Sequence, residues 1–288
     1  MRSQRHEVTS QCPLGVRRAA SLQRLGALSA IAMLGLVSIV GSAQTPAQAP
    51  AQAPQRPAGA AASQGPRIRA LIVSGGCCHD YALQDKVMMD VMAKVLPIDW
   101  TVVLQGGNGT TAKLPVYEKP DWAKGFDLVV HNECSADVDD EAFVKRITEA
   151  HRAGKVPAMV IHCAMHSYRA LASDPWREFL GVTTRMHTRA HNVAVKFVAK
   201  DHPILQGMQD TWSTPTDELY VIEKFWPGAQ ALATAVSPED QKEYPLVWAH
   251  EYGGARVFGT TLGHGNDTWN DPIFQDLLRR GFRWAVNK

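Results

Sequence analysis

Apolar runs that alternate with helical segments restrict this chain to an α/β fold. Each run is mostly apolar and ends at glycines or polar residues, which is typical of a strand covered on both faces of a sheet. Four such runs occupy residues 67–76, 98–107, 126–133 and 156–163. Between them, apolar residues recur at helical spacing around Val87 and Val91, and a helix is predicted to begin at Asp139, with Gly154 just past its end. Strands separated by helices predict a doubly wound, mostly parallel sheet with helices on both faces.

The C-terminal half of the chain has strands joined by shorter turns. Strands are predicted at residues 193–198, 231–236, 245–252 and 255–263. Gly253 and Gly254 form one of the turns, and this hairpin-like spacing predicts an antiparallel extension of the sheet. A closing helix is predicted over 271–286, where Leu277 and Leu278 cover one face.

The N-terminal residues have the pattern of an export signal. Five arginines precede an apolar run at 25–41, and the small residues Ser42 and Ala43 follow it. This pattern predicts a secretory signal peptide over 1–43, because the run is short for a membrane span. Residues 44–65 repeat Ala, Gln and Pro, which predicts a disordered linker. The folded domain is then 66–288, and we expect a periplasmic or extracellular protein with no membrane segment in its mature form.

Charge and cysteine content narrow the class further. Removing residues 1–43 takes away five of the 30 basic residues and one of the 28 acidic ones, which leaves 25 against 27. That balance argues against nucleic-acid binding. The cysteines that remain are Cys77, Cys78, Cys134 and Cys163. No zinc-ribbon spacing is present, so we interpret them as small, mostly buried thiols and leave their pairing open.

Residues with catalytic chemistry follow several of the predicted strands. His79 follows the first strand, Glu133 ends the third, His162 and His166 follow the fourth, and His264 follows a late strand. Ligands of open α/β sheets bind at the carboxyl ends of the strands. We therefore expect these five side chains to share one crevice.

Six short motifs are spread over the predicted domain. They are SGGCCHDY at 74–81, VIHCAMHSYR at 160–169, DHPI at 201–204, DELY at 217–220, PLVWAHEYGGARVF at 245–258 and TTLGHGNDTW at 260–269. Their order and spacing resemble the ThuA-like (trehalose utilisation) family, a branch of the class I glutamine amidotransferase-like superfold. The resemblance implies a flavodoxin-like α/β fold and a role in carbohydrate metabolism, particularly of disaccharides and their 3-keto derivatives.

The histidines suggest a metal site or an acid–base site. Neutral imidazole suits zinc, copper, nickel or iron, and three histidines with an open position are typical of catalytic zinc. The candidate ligands are His79, His162, His166 and His264. A divalent metal therefore stays open as a cofactor, whereas no nucleotide cofactor is expected.

The superfold also raises the alternative of a cysteine nucleophile. Its amidotransferase members place a cysteine at a sharp strand-to-helix turn, and Cys163 and His264 occupy comparable places. Such a turn needs small residues two positions either side of the nucleophile, where this chain has Ile161 and Met165. A Cys163-dependent amidohydrolase is therefore the less favoured alternative.

These features together predict an exported enzyme that acts on a keto-sugar or keto-glycoside. Its reaction would be proton abstraction beside the carbonyl, of isomerase, lyase or hydrolase type, with acid–base or metal assistance. We assign the base to His162 or Glu133, and the oxygen side to His79 and His264. Contacts with the carbohydrate, the expected small-molecule partner, are predicted for His166, Tyr168, Asp217, Tyr220 and Trp269.

Several alternatives stay open. A non-catalytic carbohydrate-binding protein would have the same aromatic and acidic residues. Glu218 is interpreted as a solvated strand edge, and His187 is not included among the site residues. Association into oligomers is also left open.

Overall fold

A nine-stranded mixed sheet is the centre of the fold in the computed structural model, which describes residues 67–287. The strands are β1 (Ile68–Gly76), β2 (Ile98–Gln105), β3 (Leu128–Cys134), β4 (Ala158–Ile161), β5 (Val182–His187), β6 (His191–Phe197), β7 (Thr211–Asp217), β8 (Tyr220–Phe225), β9 (Gln230–Val236), β10 (Glu243–Tyr252) and β11 (Ala255–Thr260). The helices are α1 (Tyr81–Ala93), α2 (Glu141–Gly154), α3 (Pro175–Leu180), α4 (Asn266–Asn270) and α5 (Pro272–Ala285). The order in the sheet is β2-β1-β3-β4-β11-β10-β9-β6-β7, and β5 and β8 form a separate pair.

The parallel half of the sheet follows the sequence prediction. β2, β1, β3, β4 and β11 run parallel to one another. Every residue of β3 is buried, because helices cover both faces. One face packs against α1 and α5 through residues such as Met88 and Leu278, and the other packs against α2 and α3 through Ile147 and Phe179. The predicted doubly wound α/β sandwich is confirmed.

The predicted antiparallel extension is confirmed as well. β10, β9, β6 and β7 continue the sheet beyond β11 with antiparallel pairing. The strands that sequence patterning missed are β5, β7 and β8. β7 alternates exposed and buried residues and contains Pro215, so it lacks the apolar run that identified the other strands.

The segments predicted as signal peptide and linker, 1–43 and 44–65, lie outside the described residues. None of the helices within 67–287 is long and apolar enough to cross a bilayer.

Replacing Gly259 by alanine is expected to lower the free energy of unfolding by about 2–3 kcal/mol, because it overpacks the core. A Cβ atom at Gly259 would lie 2.2 Å from Trp248 Cε2. The Trp248 indole is fully buried and donates a 2.7 Å hydrogen bond to the Leu180 carbonyl, so it has little room to move. Gly109→Ala is the matched control, since a Cβ there meets nothing within 4 Å. Urea titration of both variants checks the prediction, and a Gly259→Ala value equal to the control would contradict it.

Candidate active site

Three predicted site histidines come together where β1, β4 and β11 end. β4 and β11 pair in parallel with Ile161 opposite Thr260, so the residues that follow them leave the sheet at the same edge. The ring centroids of His79 and His162 are 4.8 Å apart, and those of His79 and His264 are 5.3 Å apart. One ring nitrogen from each of the three histidines lies within 4.8 Å of the others. The parallel topology therefore brings residues 185 positions apart in sequence into one cluster.

Backbone conformations at the strand ends orient these side chains. Gly76 has a φ of +89°, and a Cβ there would lie 2.1 Å from the Cys134 carbonyl oxygen, so only glycine fits this turn before His79. His162 itself has a φ of +47°, a left-handed conformation that costs a non-glycine residue on the order of 1–3 kcal/mol. Such conformations cluster at functional sites, and this one ends β4 and points the His162 ring into the cluster.

Hydrogen bonds to carbonyl oxygens orient two of the rings. His162 Nδ1 lies 2.6 Å from the Thr261 carbonyl oxygen, and His79 Nδ1 lies 3.1 Å from the His264 carbonyl oxygen. A carbonyl oxygen can only accept, so each Nδ1 carries the hydrogen and each Nε2 keeps its lone pair. Burial lowers the pKa of His79 to about 4 and holds the pKa of His162 well below its usual value. Both rings are therefore neutral at neutral pH, with a free nitrogen available as a ligand or acceptor.

Glu218 is the carboxylate of this cluster, although its sequence context suggested a solvated strand edge. Its Oε2 is 3.6 Å from His162 Nε2, and its Oε1 is 3.4 Å from Nδ1 of both His187 and His264. The Glu218 side chain is only 12% exposed. Contact with Glu218 raises the pKa of His264. The sequence pattern did not reveal this role, because Glu218 lies in the turn between β7 and β8, two strands that were not predicted. His187 ends β5, a third strand that was not predicted.

Asp217 has a structural role in place of the predicted substrate contact. Its carboxylate is fully buried and accepts hydrogen bonds from the backbone N–H groups of Gly263, His264 and Glu218, at 2.9, 3.2 and 2.8 Å. Its oxygens are thus occupied by the loop that carries His264. Asp217 positions the site and cannot reach a sugar hydroxyl.

Tyr220 and His166 form a stacked pair beside the cluster. Their ring centroids are 4.1 Å apart with the planes 10° apart, and both side chains are buried. The Tyr220 hydroxyl lies 3.4 Å from His162 Nε2, whereas His166 Nε2 lies 3.3 Å from the Thr184 hydroxyl. Tyr220 is therefore in contact with the cluster, and His166 lies behind it, outside the group of three histidines.

Three further predicted residues lie in the protein interior. Glu133 is fully buried and accepts a 2.7 Å hydrogen bond from the Tyr117 hydroxyl, with His131 Nδ1 at 3.1 Å. Trp269 is 1% exposed and donates to the Gly263 carbonyl oxygen, and Tyr168 is 1% exposed. The structure thus places Glu133, predicted as base, and Tyr168 and Trp269, predicted as sugar contacts, in the interior and outside the histidine cluster.

Cys163 is paired with Cys134 in a disulfide, and Cys77 is paired with Cys78. A disulfide sulfur is not a thiolate, so Cys163 cannot act as a nucleophile in this state. The pairing, which the sequence left open, is thus two disulfides, and of the four cysteines interpreted as mostly buried, Cys134 and Cys163 are buried whereas Cys78 is exposed.

A groove borders the cluster at His79. It has a volume of about 360 Å³, and its other lining residues include Tyr81, Leu104, Gln105 and Asn108. This volume lies at the lower end of the range for small-molecule pockets. A larger groove, of about 610 Å³, lies around Pro97 and Trp100 at the start of β2, and no histidine lines it. Of these two grooves, the smaller one is adjacent to the cluster, through His79.

Comparisons with known proteins agree with this architecture. A family model described as ThuA, trehalose utilisation, matches residues 69–285. Solved structures of ThuA-like proteins from Parabacteroides merdae and Bacteroides uniformis are 22% and 16% identical, each with a TM-score of 0.60, and the match covers 77% of this chain and 90% and 93% of theirs. A GMP synthase component from Thermoplasma acidophilum is 10% identical, with a TM-score of 0.51, over 77% of this chain and 95% of its own. A search of curated proteins gave no significant match. At these identities the structures establish a shared fold.

Proposed function

Because this chain belongs to the ThuA (trehalose utilisation) family, we propose that it is an enzyme acting on a keto-sugar or keto-glycoside derived from a disaccharide. The reaction is removal of the proton beside the carbonyl, followed by isomerisation or bond cleavage. The single observation that carries the proposal is the cluster of His79, His162 and His264 against the Glu218 carboxylate.

The three histidines fit a divalent metal ion. Zinc–nitrogen bonds of about 2.0–2.1 Å require each nitrogen to shift inward by less than ~1 Å from its present position. His79 and His162 present Nε2 lone pairs, and their Nδ1–H groups are bound to carbonyl oxygens, the usual arrangement around ligating histidines. His264 would supply the third nitrogen, and its ring would have to be deprotonated to act as a ligand. When bound, such an ion supplies Lewis acidity at a carbonyl oxygen.

Glu218 is the proposed base. A carboxylate is a suitable general base for a C–H acidified by a neighbouring carbonyl, and Oε1 of Glu218 lies 3.4 Å from Nδ1 of both His187 and His264. The proton moves from the carbon to a Glu218 oxygen and returns at the other carbon or at a leaving group. His187, which is exposed, flanks this path and offers hydrogen bonds to sugar hydroxyls, whereas the buried Tyr220 hydroxyl contacts His162.

Export is part of the proposal. Its first support is the signal-like pattern of residues 1–43. Its second support is the pair of disulfides, which persist mainly in oxidising compartments.

Proton NMR in heavy water tests the proposed reaction. The purified protein is incubated with 3-keto-trehalose or a 3-keto-glucoside, with and without added Zn²⁺, and the hydrogens beside the carbonyl are followed. We expect enzyme-dependent loss of those signals by deuterium exchange, or signals of a new product. Binding seen by calorimetry with no exchange in either condition would overturn the proposal in favour of a carbohydrate-binding protein.

The Glu218→Gln variant should exchange those hydrogens at least about 100-fold more slowly, because a general base accelerates a reaction by roughly 10²–10⁴-fold. Its affinity for Zn²⁺ should change only a few-fold, since Glu218 is outside the three-histidine set. Glu223→Gln is the matched control, because Glu223 lies on β8, just after the turn that carries Glu218, but pairs with Arg185 at the surface. Equal exchange rates for the two variants would remove Glu218 from the mechanism.

A further inference from the structure

Four sulfur atoms lie together where β1, β3 and β4 end, beside the histidine cluster. They belong to two disulfides, Cys77–Cys78 and Cys134–Cys163. Sγ of Cys77 is 3.6 Å from Sγ of Cys134, and the sulfurs of Cys77, Cys78 and Cys134 all lie within 4.8 Å of one another. The two disulfides are therefore in direct contact.

The sheet register sets this contact. β1 and β3 pair in parallel with Gly76 opposite Cys134. The Cys77 N–H donates to the Cys134 carbonyl oxygen at 3.4 Å, and the Tyr81 hydroxyl donates to the Cys77 carbonyl oxygen at 2.7 Å. Because Gly76 has no side chain, the two backbones approach closely enough for the sulfurs to meet.

The two disulfides differ sharply in access. Cys78 is exposed and Cys77 is half-buried, whereas Cys134 is 2% exposed and Cys163 is 9% exposed. Thiol–disulfide exchange requires a thiolate to reach a sulfur atom directly. An external thiol therefore reaches Cys78 easily and the Cys134–Cys163 bond hardly at all.

We propose that these cysteines form a dithiol–disulfide exchange site, in which Cys77–Cys78 receives electrons from an external dithiol and passes them to Cys134–Cys163. The substrate class is a dithiol reductant, either a small molecule or a protein with paired cysteines. The proposal is independent of the carbohydrate chemistry, because its readout is the thiol state of each cysteine.

The exchange balances over four steps. A thiolate of the dithiol attacks Sγ of Cys78, which breaks the Cys77–Cys78 bond and releases Cys77 as a thiolate. The second thiol of the reductant resolves that mixed disulfide, which oxidises the reductant and frees Cys78. Cys77 then attacks Sγ of Cys134, forms Cys77–Cys134 and releases Cys163. Finally Cys78 attacks Sγ of Cys77, which restores Cys77–Cys78 and releases Cys134. One dithiol is oxidised, one buried disulfide is reduced, and the two protons of the dithiol end on Cys134 and Cys163.

The Cys78→Ser variant tests the internal step. It leaves Cys77 as a free thiol with no resolving partner, so the exchange should stop at the Cys77–Cys134 bond. After acid quenching and alkylation, we expect mass spectrometry to find a peptide pair linked through Cys77 and Cys134, with Cys163 alkylated. A folded variant that keeps Cys134–Cys163 intact and Cys77 alkylated would overturn the proposal.

The double variant with Cys77→Ser and Cys78→Ser is the kinetic control. With dithiothreitol as the reductant, chemical reduction of its Cys134–Cys163 bond should be slower than in the wild type by a factor of about ten or more, since access limits exchange. Reduction at the wild-type rate would show direct attack on the buried pair and overturn the proposal. If the variants fail to fold, wild-type protein treated with limiting dithiothreitol provides the same test. We then expect a transient peptide pair linked through Cys77 and Cys134, and its absence would overturn the proposal.

Discussion

The His162→Ala variant is expected to lose high-affinity Zn²⁺ binding, with a dissociation constant raised on the order of 100-fold or more. Removing only a residue that hydrogen-bonds to a metal ligand lowers metal affinity by about 10–100-fold, and this change removes a ligand itself. His162 is the most buried of the three histidines, and its Nε2 lone pair faces the cluster. Isothermal titration with Zn²⁺ measures the change, and exchange of the keto-sugar hydrogens should fall with it.

Two further variants control this experiment. His202→Ala removes a half-buried histidine that lies beside Trp284 and not in the cluster, so its Zn²⁺ affinity should match the wild type. His162→Asn uses a residue type that tolerates left-handed backbone, and it serves if the alanine variant does not fold. Wild-type Zn²⁺ affinity in folded His162→Ala would contradict the metal assignment.

The Asp217→Ala variant is expected to lose about 3 kcal/mol or more in the free energy of unfolding. The change leaves three backbone N–H groups, those of Gly263, His264 and Glu218, without their acceptor, and each unsatisfied buried donor costs about 1–3 kcal/mol. The His264 loop should loosen as a result, so Zn²⁺ affinity should fall as well. Urea titration measures the loss of stability.

Asp210→Ala is the matched control for Asp217. Asp210 directly precedes β7, is 87% exposed and pairs only with Lys200 at the surface, so its removal should change stability by less than about 1 kcal/mol. A loss for Asp217→Ala no larger than that of this control would mean that Asp217 does not hold the loop.

The convergence of His79, His162 and His264 could be predicted from the sequence because it depends only on topology. Each histidine follows an apolar strand that the pattern identifies, and the carboxyl ends of parallel strands meet at one edge. The same rule also predicted Glu133 in the crevice, yet its side chain lies in the core, where it accepts a hydrogen bond from the Tyr117 hydroxyl and contacts His131. The position of a residue at a strand end does not by itself determine whether its side chain enters the crevice or the core.

Glu218 could not be predicted because the strands around it lack an apolar pattern. β7 and β8 are partly exposed, and the turn between them reaches the cluster only through the non-sequential pairing of β8 with β5. Asp217 and Trp269 were predicted as sugar contacts from their residue types. Both are buried by tertiary packing, which the sequence pattern does not show. The pairing of the four cysteines likewise depends on the register of β1 with β3, which no spacing along the chain reveals.

The most direct test of the central claim, a metal site built from three histidines, is zinc-edge anomalous scattering from crystals of the protein grown or soaked with Zn²⁺. We expect one strong peak in the anomalous difference map at about 2.0–2.1 Å from a ring nitrogen of each of His79, His162 and His264, with the Glu218 carboxylate beside it. A well-ordered cluster with no peak among its nitrogens at saturating Zn²⁺ would contradict the claim.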